Sequence, residues 1–221
     1  MKHVQIDGVE IFVEEAENYI QINDIQEHDL ATIWNSLIAK YPGYEVVLCF
    51  RDMPHPTGIL AKIGAELLED CLKLQVKPQE VRPHGGLGIV PLQKTDYESF
   101  AKLHDKTNPD MYWTSRRVLA KWDIWRIFVH KTNAKITGYA MIMIAMRDES
   151  KSEIFAVEAE NPVLRRALLS SAVTSAFECG KSVVINMVER NNANEQEDSL
   201  AVGFREVGYY RGFCVRYGKN I

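Results

Sequence analysis

The chain has 221 residues, 46% of them hydrophobic and 25% charged, with a formal net charge of −4. That balance excludes a disordered or fibrous chain and leaves room for one large domain or two modest ones around a real core. A weakly acidic chain also lacks the broad basic footprint of a nucleic-acid binder, so no nucleic-acid partner is expected. Met1-Lys2-His3-Val4 is not a basic start followed by an apolar run. No apolar stretch reaches the roughly 18 residues of a membrane span. No secretory leader and no membrane partner are therefore expected, and the reading is a cytoplasmic protein. The four cysteines (Cys49, Cys71, Cys179 and Cys214) are far apart and read as core thiols, and the six histidines are too scattered to suggest a metal site.

Taken in chain order, Val4 to Glu14 and Tyr19 to Asn23 alternate apolar and polar residues and predict strands. Leu30, Ile33, Trp34, Leu37 and Ile38 recur at helical spacing between His28 and Tyr41, and Pro42-Gly43 ends that helix. Tyr44 to Phe50 reads as a strand, Pro56 to Leu68 as a helix, and Cys71 to Val76 as a strand. Gln75 to Gly88 holds Pro78, Pro83, Gly85, Gly86 and Gly88, the densest breaker run, and sets the expected domain boundary between Arg82 and Pro83.

After it come a strand (Gly88 to Leu92), two helices (Tyr97 to His104 and Thr114 to Lys121) and three strands (Trp125 to His130, Ile136 to Ala145, Glu153 to Ala159). Ile136 to Ala145 is apolar on both faces and should be central in its sheet. Asn161-Pro162 opens a long helix as N-cap and first-turn proline, and Gly180 closes it. A strand (Ser182 to Val188), a helix (Ala193 to Ala201, ended by Gly203) and a strand-rich tail (Val207 to Tyr217, with Gly212 as a kink or turn) complete the chain.

Two stretches look alike. Tyr44-Glu45-Val46-Val47, a helix and Leu60-Ala61-Lys62-Ile63-Gly64 match Lys181-Ser182-Val183-Val184, a helix and Leu200-Ala201-Val202-Gly203-Phe204. The match is short. It leaves two readings of residues 1–82, an α/β region that is a partial copy of residues 83–221 or a chance likeness.

The element order after Gly88 resembles that of GNAT-type N-acetyltransferases. So do Ile136-Thr137-Gly138-Tyr139-Ala140, Glu153-Ile154-Phe155-Ala156-Val157 and the ending Val202-Gly203-Phe204-Arg205-Glu206-Val207-Gly208-Tyr209. The resemblance implies an α/β (α+β) fold, a mixed and mostly antiparallel sheet flanked by helices. It also implies an activity, transfer of an acetyl group from acetyl-CoA to an amine of a small molecule or peptide by direct attack. In this family the cofactor's amide-rich arm pairs with a strand beside a splayed parallel neighbour, and its pyrophosphate sits on the next helix N-terminus. Carried onto this chain, the resemblance points to Val157, Ala159, Asn161, Val163, Leu164, Arg165 and Arg166 for the cofactor, with Asn192 near the family's arm-contacting Asn. Glu158, with Glu160 two residues on, stands where a general base would be.

The sequence departs from the pattern in two places. The glycine-bearing phosphate loop is replaced by Glu160-Asn161-Pro162-Val163-Leu164-Arg165-Arg166. Ser199 stands where the family often has the tyrosine that protonates the departing thiolate, and a serine hydroxyl is a far weaker acid. Tyr209, close by in sequence, is the remaining candidate acid. Each residue also has a plainer reading: the two arginines as a solvated helix face, the two glutamates as exposed strand ends, and Tyr209 as packing. The Met111 to Arg117 stretch with Trp122 and Trp125 reads as acceptor pocket or as core. A catalytically degenerate GNAT-fold binding or regulatory module is thus the alternative, and a homodimer through a sheet edge is left open.

Overall fold

The computed structural model describes residues 2–85, 87–109 and 111–216. The chain divides into two compact units, Met1–Leu72 with Gly208–Ile221 and Lys73–Val207.

In the first unit, β1 (Lys2–Ile6) and β2 (Val9–Glu14) form an antiparallel hairpin with Ile6 opposite Val9. The alternation from Val4 to Glu14 predicts one strand. Asp7-Gly8, at φ 47° and 85°, folds it back, as Asp-Gly does in two-residue hairpin turns. β3 (Tyr19–Asn23) continues the meander against β2 and then pairs in parallel with β4 (Glu45–Arg51). α1 (Glu27–Lys40) is the crossover that a parallel pair requires, and its Leu30, Ile33 and Leu37 pack with Ile20, Ile22, Leu48 and Phe50.

α2 spans only Thr57–Lys62, where helical spacing predicts a helix to Leu68. Gly64 at φ 67° turns the chain, and Glu66 onward becomes β5 (Glu66–Val76). β11 (Arg205–Val215) runs straight through Gly212 and pairs antiparallel with β4, from Tyr210↔Arg51 to Val215↔Val46. The strand order of this unit is β1-β2-β3-β4-β11-β5. The last strand groups with the first unit because it hydrogen-bonds β4. The breaker run around Pro83 lies inside the second unit. Gly86 of that run, and Tyr217 at the expected end of the tail, lie outside the described residues.

The second unit contains β6 (Val90–Pro91), α3 (Tyr97–Thr107), α4 (Ser115–Ala120), β7 (Trp125–Thr132), β8 (Lys135–Met143), β9 (Lys151–Glu158), α5 (Pro162–Glu178), β10 (Val183–Glu189) and α6 (Ala193–Val202). Its strand order is β10-β9-β8-β7-β6, antiparallel except for the β9–β10 pair. β8 is central and buried along most of its length, as its two apolar faces predict. Phe100, Val118, Trp125, Val129, Tyr139 and Met141 form one core cluster, with Met111, Trp113 and Trp122 packed against it. Much of the aromatic stretch between Met111 and Trp125 is therefore core. α5 buries Leu164, Ala167, Leu168, Leu169, Ala172 and Val173.

The fold is a mixed, mostly antiparallel sheet flanked by helices. Three cysteines are buried, but Cys179 is exposed, because it caps the carboxyl end of α5 rather than facing the core. Among the described residues, no helix is long and apolar enough to cross a membrane.

Candidate functional site

The parallel ladder between β9 and β10 runs from Val183↔Lys151 to Asn186↔Ile154 and stops there. Both strands continue, β9 to Glu158 and β10 to Glu189. The break coincides with a bulge on β9: Met141 faces Ala156 and Ile142 faces Ile154, so Phe155 is the extra residue. A bulge bends its strand and re-aims the side chains beyond it. The Phe155 ring is held edge-on to Trp125 at 5.2 Å and to Trp113 at 6.4 Å between centroids, which fixes where the strand turns away. The parallel pairing therefore ends before either strand does.

Glu158 ends β9, while Glu160 lies beyond the strand and is exposed, so the two do not share a strand face. The Glu158 carboxyl is half-buried, and this desolvation pushes its pKa up against the opposing pull of Asn108, Arg165 and His104. Behind it stands a chain of hydrogen bonds. The Asn108 amide contacts Glu158 Oε1 at 3.4 Å and the Tyr139 hydroxyl at 2.9 Å. That hydroxyl is 2.7 Å from His104 Nδ1, and His104 Nε2 is 2.7 Å from the Trp113 carbonyl. Tyr139 and His104 are fully buried. Gly138 is required here, since a Cβ would lie 2.8 Å from the Glu158 carbonyl oxygen and 3.1 Å from the Leu164 side chain.

The helix that follows starts as expected from Asn161-Pro162. Asn161 Oδ1 accepts the Leu164 N–H at 2.9 Å, and its carbonyl accepts the Arg165 N–H at 3.1 Å. Pro162 has no N–H, which leaves the Val163 N–H, on a residue 65% exposed, as the open first-turn donor. Arg165 and Arg166 do not form a solvated face. Both grip the buried Asp198 of α6, at 2.8 Å and 2.7 Å, and Arg166 also reaches Glu197 at 3.5 Å. Nearby on α6, burial pushes the Glu195 carboxyl up to about 7, a rise that Glu158, Glu189 and Asp198 reinforce and Arg165 opposes.

Asn192 is the α6 N-cap, accepting the Glu195 N–H at 3.2 Å and donating to its carboxylate at 2.8 Å. Ser199 is fully buried and bonded to the buried Asn186 amide at 3.1 Å, so its hydroxyl is a core group. Tyr209 belongs to the first unit, where its N–H donates to Asp52 at 2.9 Å and Arg211 stacks on its ring. Val157 and Ala159 are half-buried at and just past the open end of β9.

The structure thus brings Glu158 together with Arg165 and with three residues the sequence alone leaves unnoticed, Asn108, Tyr139 and His104. Only His104 carries a legible signal, a polar ring four residues after Phe100 on the buried stripe of α3. Among the described residues, no group of His, Cys, Asp and Glu could hold a metal ion.

No family model matches the sequence, and no curated protein matches it. Solved structures do match over nearly the whole chain. A GCN5-related N-acetyltransferase from Kribbella flavida is 10% identical, covering 100% of this chain and 91% of its own, with a TM-score of 0.70. One from Sphaerobacter thermophilus is 13% identical over 96% of this chain and 78% of its own, with a TM-score of 0.67. A tandem GNAT protein from the clavulanic acid biosynthesis pathway is 10% identical over 96% of this chain and 79% of its own, with a TM-score of 0.65. At these identities the likeness is one of fold, and the fold is that of the GNAT proteins.

Proposed function

We propose, with the GNAT fold as premise, that the second unit is an N-acetyltransferase moving an acetyl group from acetyl-CoA to an amine of a small molecule or peptide. The observation that carries this reading is the β9–β10 ladder ending at Asn186↔Ile154, with Glu158 at the end of the strand that leaves it. The open edge of β9 from Phe155 to Ala159 suits an amide-rich arm binding as an added strand. For the pyrophosphate the fit is partial. The Val163 N–H and the α5 dipole favour an anion, and each guanidinium keeps N–H donors beyond those given to Asp198.

In the reaction, the Glu158 carboxylate takes a proton from the incoming ammonium. The freed amine attacks the thioester carbonyl, the C–S bond breaks and the thiolate leaves. A carboxyl raised by burial is better matched to that proton transfer than an exposed one. Glu195, whose carboxyl burial pushes up to about 7, is the group of this cluster suited to protonate the thiolate. The carboxylates around Arg165 favour a cationic acceptor.

Calorimetry with acetyl-CoA is the test. Micromolar binding that is lost when Phe155 to Glu158 is disrupted supports the reading. No heat and no thermal shift at millimolar acetyl-CoA sinks it. The second reading, a degenerate GNAT-fold binding module, is favoured by a specific observation: Asn161, Pro162 and Asp198 already occupy much of what a phosphate would use. We also read the first unit as a partial copy of the second. Each half runs meander, helix, parallel strand, helix, strand, the first through β3-α1-β4-α2-β5 and the second through β9-α5-β10-α6-β11.

A further inference from the structure

The Asn108 amide has more acceptors than N–H groups. It meets Thr107 Oγ1 at 2.8 Å, the Tyr139 oxygen at 2.9 Å, and Glu158 Oε1 and the His104 carbonyl at 3.4 Å each. With one N–H given to Thr107, the tyrosine, the carboxylate and the His104 carbonyl compete for the other, and the tyrosine holds it closest. The orientation of the phenol is set in turn by His104. The Trp113 carbonyl can only accept, so His104 Nε2 carries a hydrogen, and Nδ1 of the neutral ring accepts the Tyr139 O–H. The oxygen lone pairs of the phenol are thereby left facing Asn108.

We propose that Tyr139, locked by His104, is a positioning residue that limits how much of the Asn108 amide Glu158 receives, and so keeps that carboxyl proton-hungry. This rests on reading Glu158 as the general base. Arg165 from α5 and the His104 ring from α3 also act on Glu158. Glu195 from α6 and Glu158 also repel each other. Changing Tyr139 or Asn108 leaves the charges of Arg165 and Glu195 in place, while Tyr139→Phe also removes the hydroxyl that His104 Nδ1 meets. A donated hydrogen bond stabilises the carboxylate, so the two variants should act in opposite senses. Tyr139→Phe removes the closest rival acceptor, lets Asn108 close on Glu158 and lowers its titration midpoint. Asn108→Ala removes the donor and raises it.

The experiment is a carbon-13 NMR titration of the Glu158 side-chain carboxyl in wild type, Y139F and N108A. Opposite shifts of about half a unit or more are expected, and midpoints that move the same way or not at all overturn the proposal. Tyr139 is fully buried, but phenylalanine keeps its shape. Should Y139F fail to fold, N108A decides alone: a raised midpoint supports the proposal and an unchanged or lowered one overturns it. The titration needs no turnover, so a failure of the acetyltransferase reading would show separately, as absent acetyl-CoA binding.

Discussion

The two parallel strand pairs of this chain follow the same local plan and end differently. In the second unit the ladder stops at Asn186↔Ile154, although both strands continue. In the first unit β3 pairs with β4 from Tyr19↔Glu45 through Asn23↔Cys49, the whole length of β3. Asp24 then closes the end. Its N–H donates to the Cys49 carbonyl at 2.7 Å, and its carboxylate takes the Arg51 N–H at 2.8 Å and the Arg51 guanidinium at 3.0 Å.

The helix starts differ too. α1 has Glu27 and Asp29 in its first turn and would repel an anion, whereas α5 has no acidic residue there and begins with Arg165 and Arg166 close behind. In the second half β6, α3 and α4 stand ahead of the meander. One plan therefore yields a zipped pair and an open one, and what separates them is a bulge at Phe155 against a bridging carboxylate at Asp24.

Four substitutions would break or sharpen that contrast. The largest effect is expected at the open end. Glu158→Gln should lower kcat/KM by about 100-fold or more at neutral pH, with acetyl-CoA affinity little changed, as loss of a general base does. Asp198→Ala should cost about 2–3 kcal/mol in urea unfolding, because it strands two partly buried guanidinium groups between α5 and α6. If Arg165 and Arg166 were a solvated face, the loss would be near zero.

Glu195→Gln tests burial at the same end through pH. Below about pH 4.5 the carboxyl is protonated in both folded and unfolded chains, and its burial costs nothing. Between there and about 7 the unfolded chain ionises while the folded one holds its proton, so wild-type stability falls as pH rises. The variant should gain roughly 2 kcal/mol on wild type between pH 4.5 and 7.5, read as a widening gap in Tm. A constant gap would mean that Glu195 is not desolvated. Asp24→Ala should matter least. An exposed ion pair is worth below about 1 kcal/mol, and the first unit should still fold.

How much of this was written in the sequence follows from which signals are local. Asn161-Pro162 and Gly203 mark helix ends through their own backbone chemistry, and the structure has them there. The Asp7-Gly8 turn was masked by apolar alternation that continues on both sides of it, although Asp-Gly is itself a hairpin signal. Leu60, Ile63 and Leu67 keep helical spacing past Gly64, yet Leu67 is 57% exposed on a strand, because a single positive φ outweighs the pattern.

Glu158, Asn161 and Arg165 lie within eight residues of one another along the chain, so the local strand-to-helix pattern could single them out. His104 on α3, Asn108 at its carboxyl cap and Tyr139 on β8 meet Glu158 only once the sheet has formed, so no spacing rule links them. Nor could composition reveal that Arg165 and Arg166 face inward. That depends on Asp198, more than 30 residues away, being buried between two helices.

The contrast between the open and zipped pairs is tested most directly by backbone hydrogen exchange with and without saturating acetyl-CoA. Slower exchange is predicted at Phe155 to Glu158 and at Val163, with no change from Ile20 to Asp24. Unchanged exchange at Phe155 to Glu158, or protection appearing along β3 instead, would contradict it.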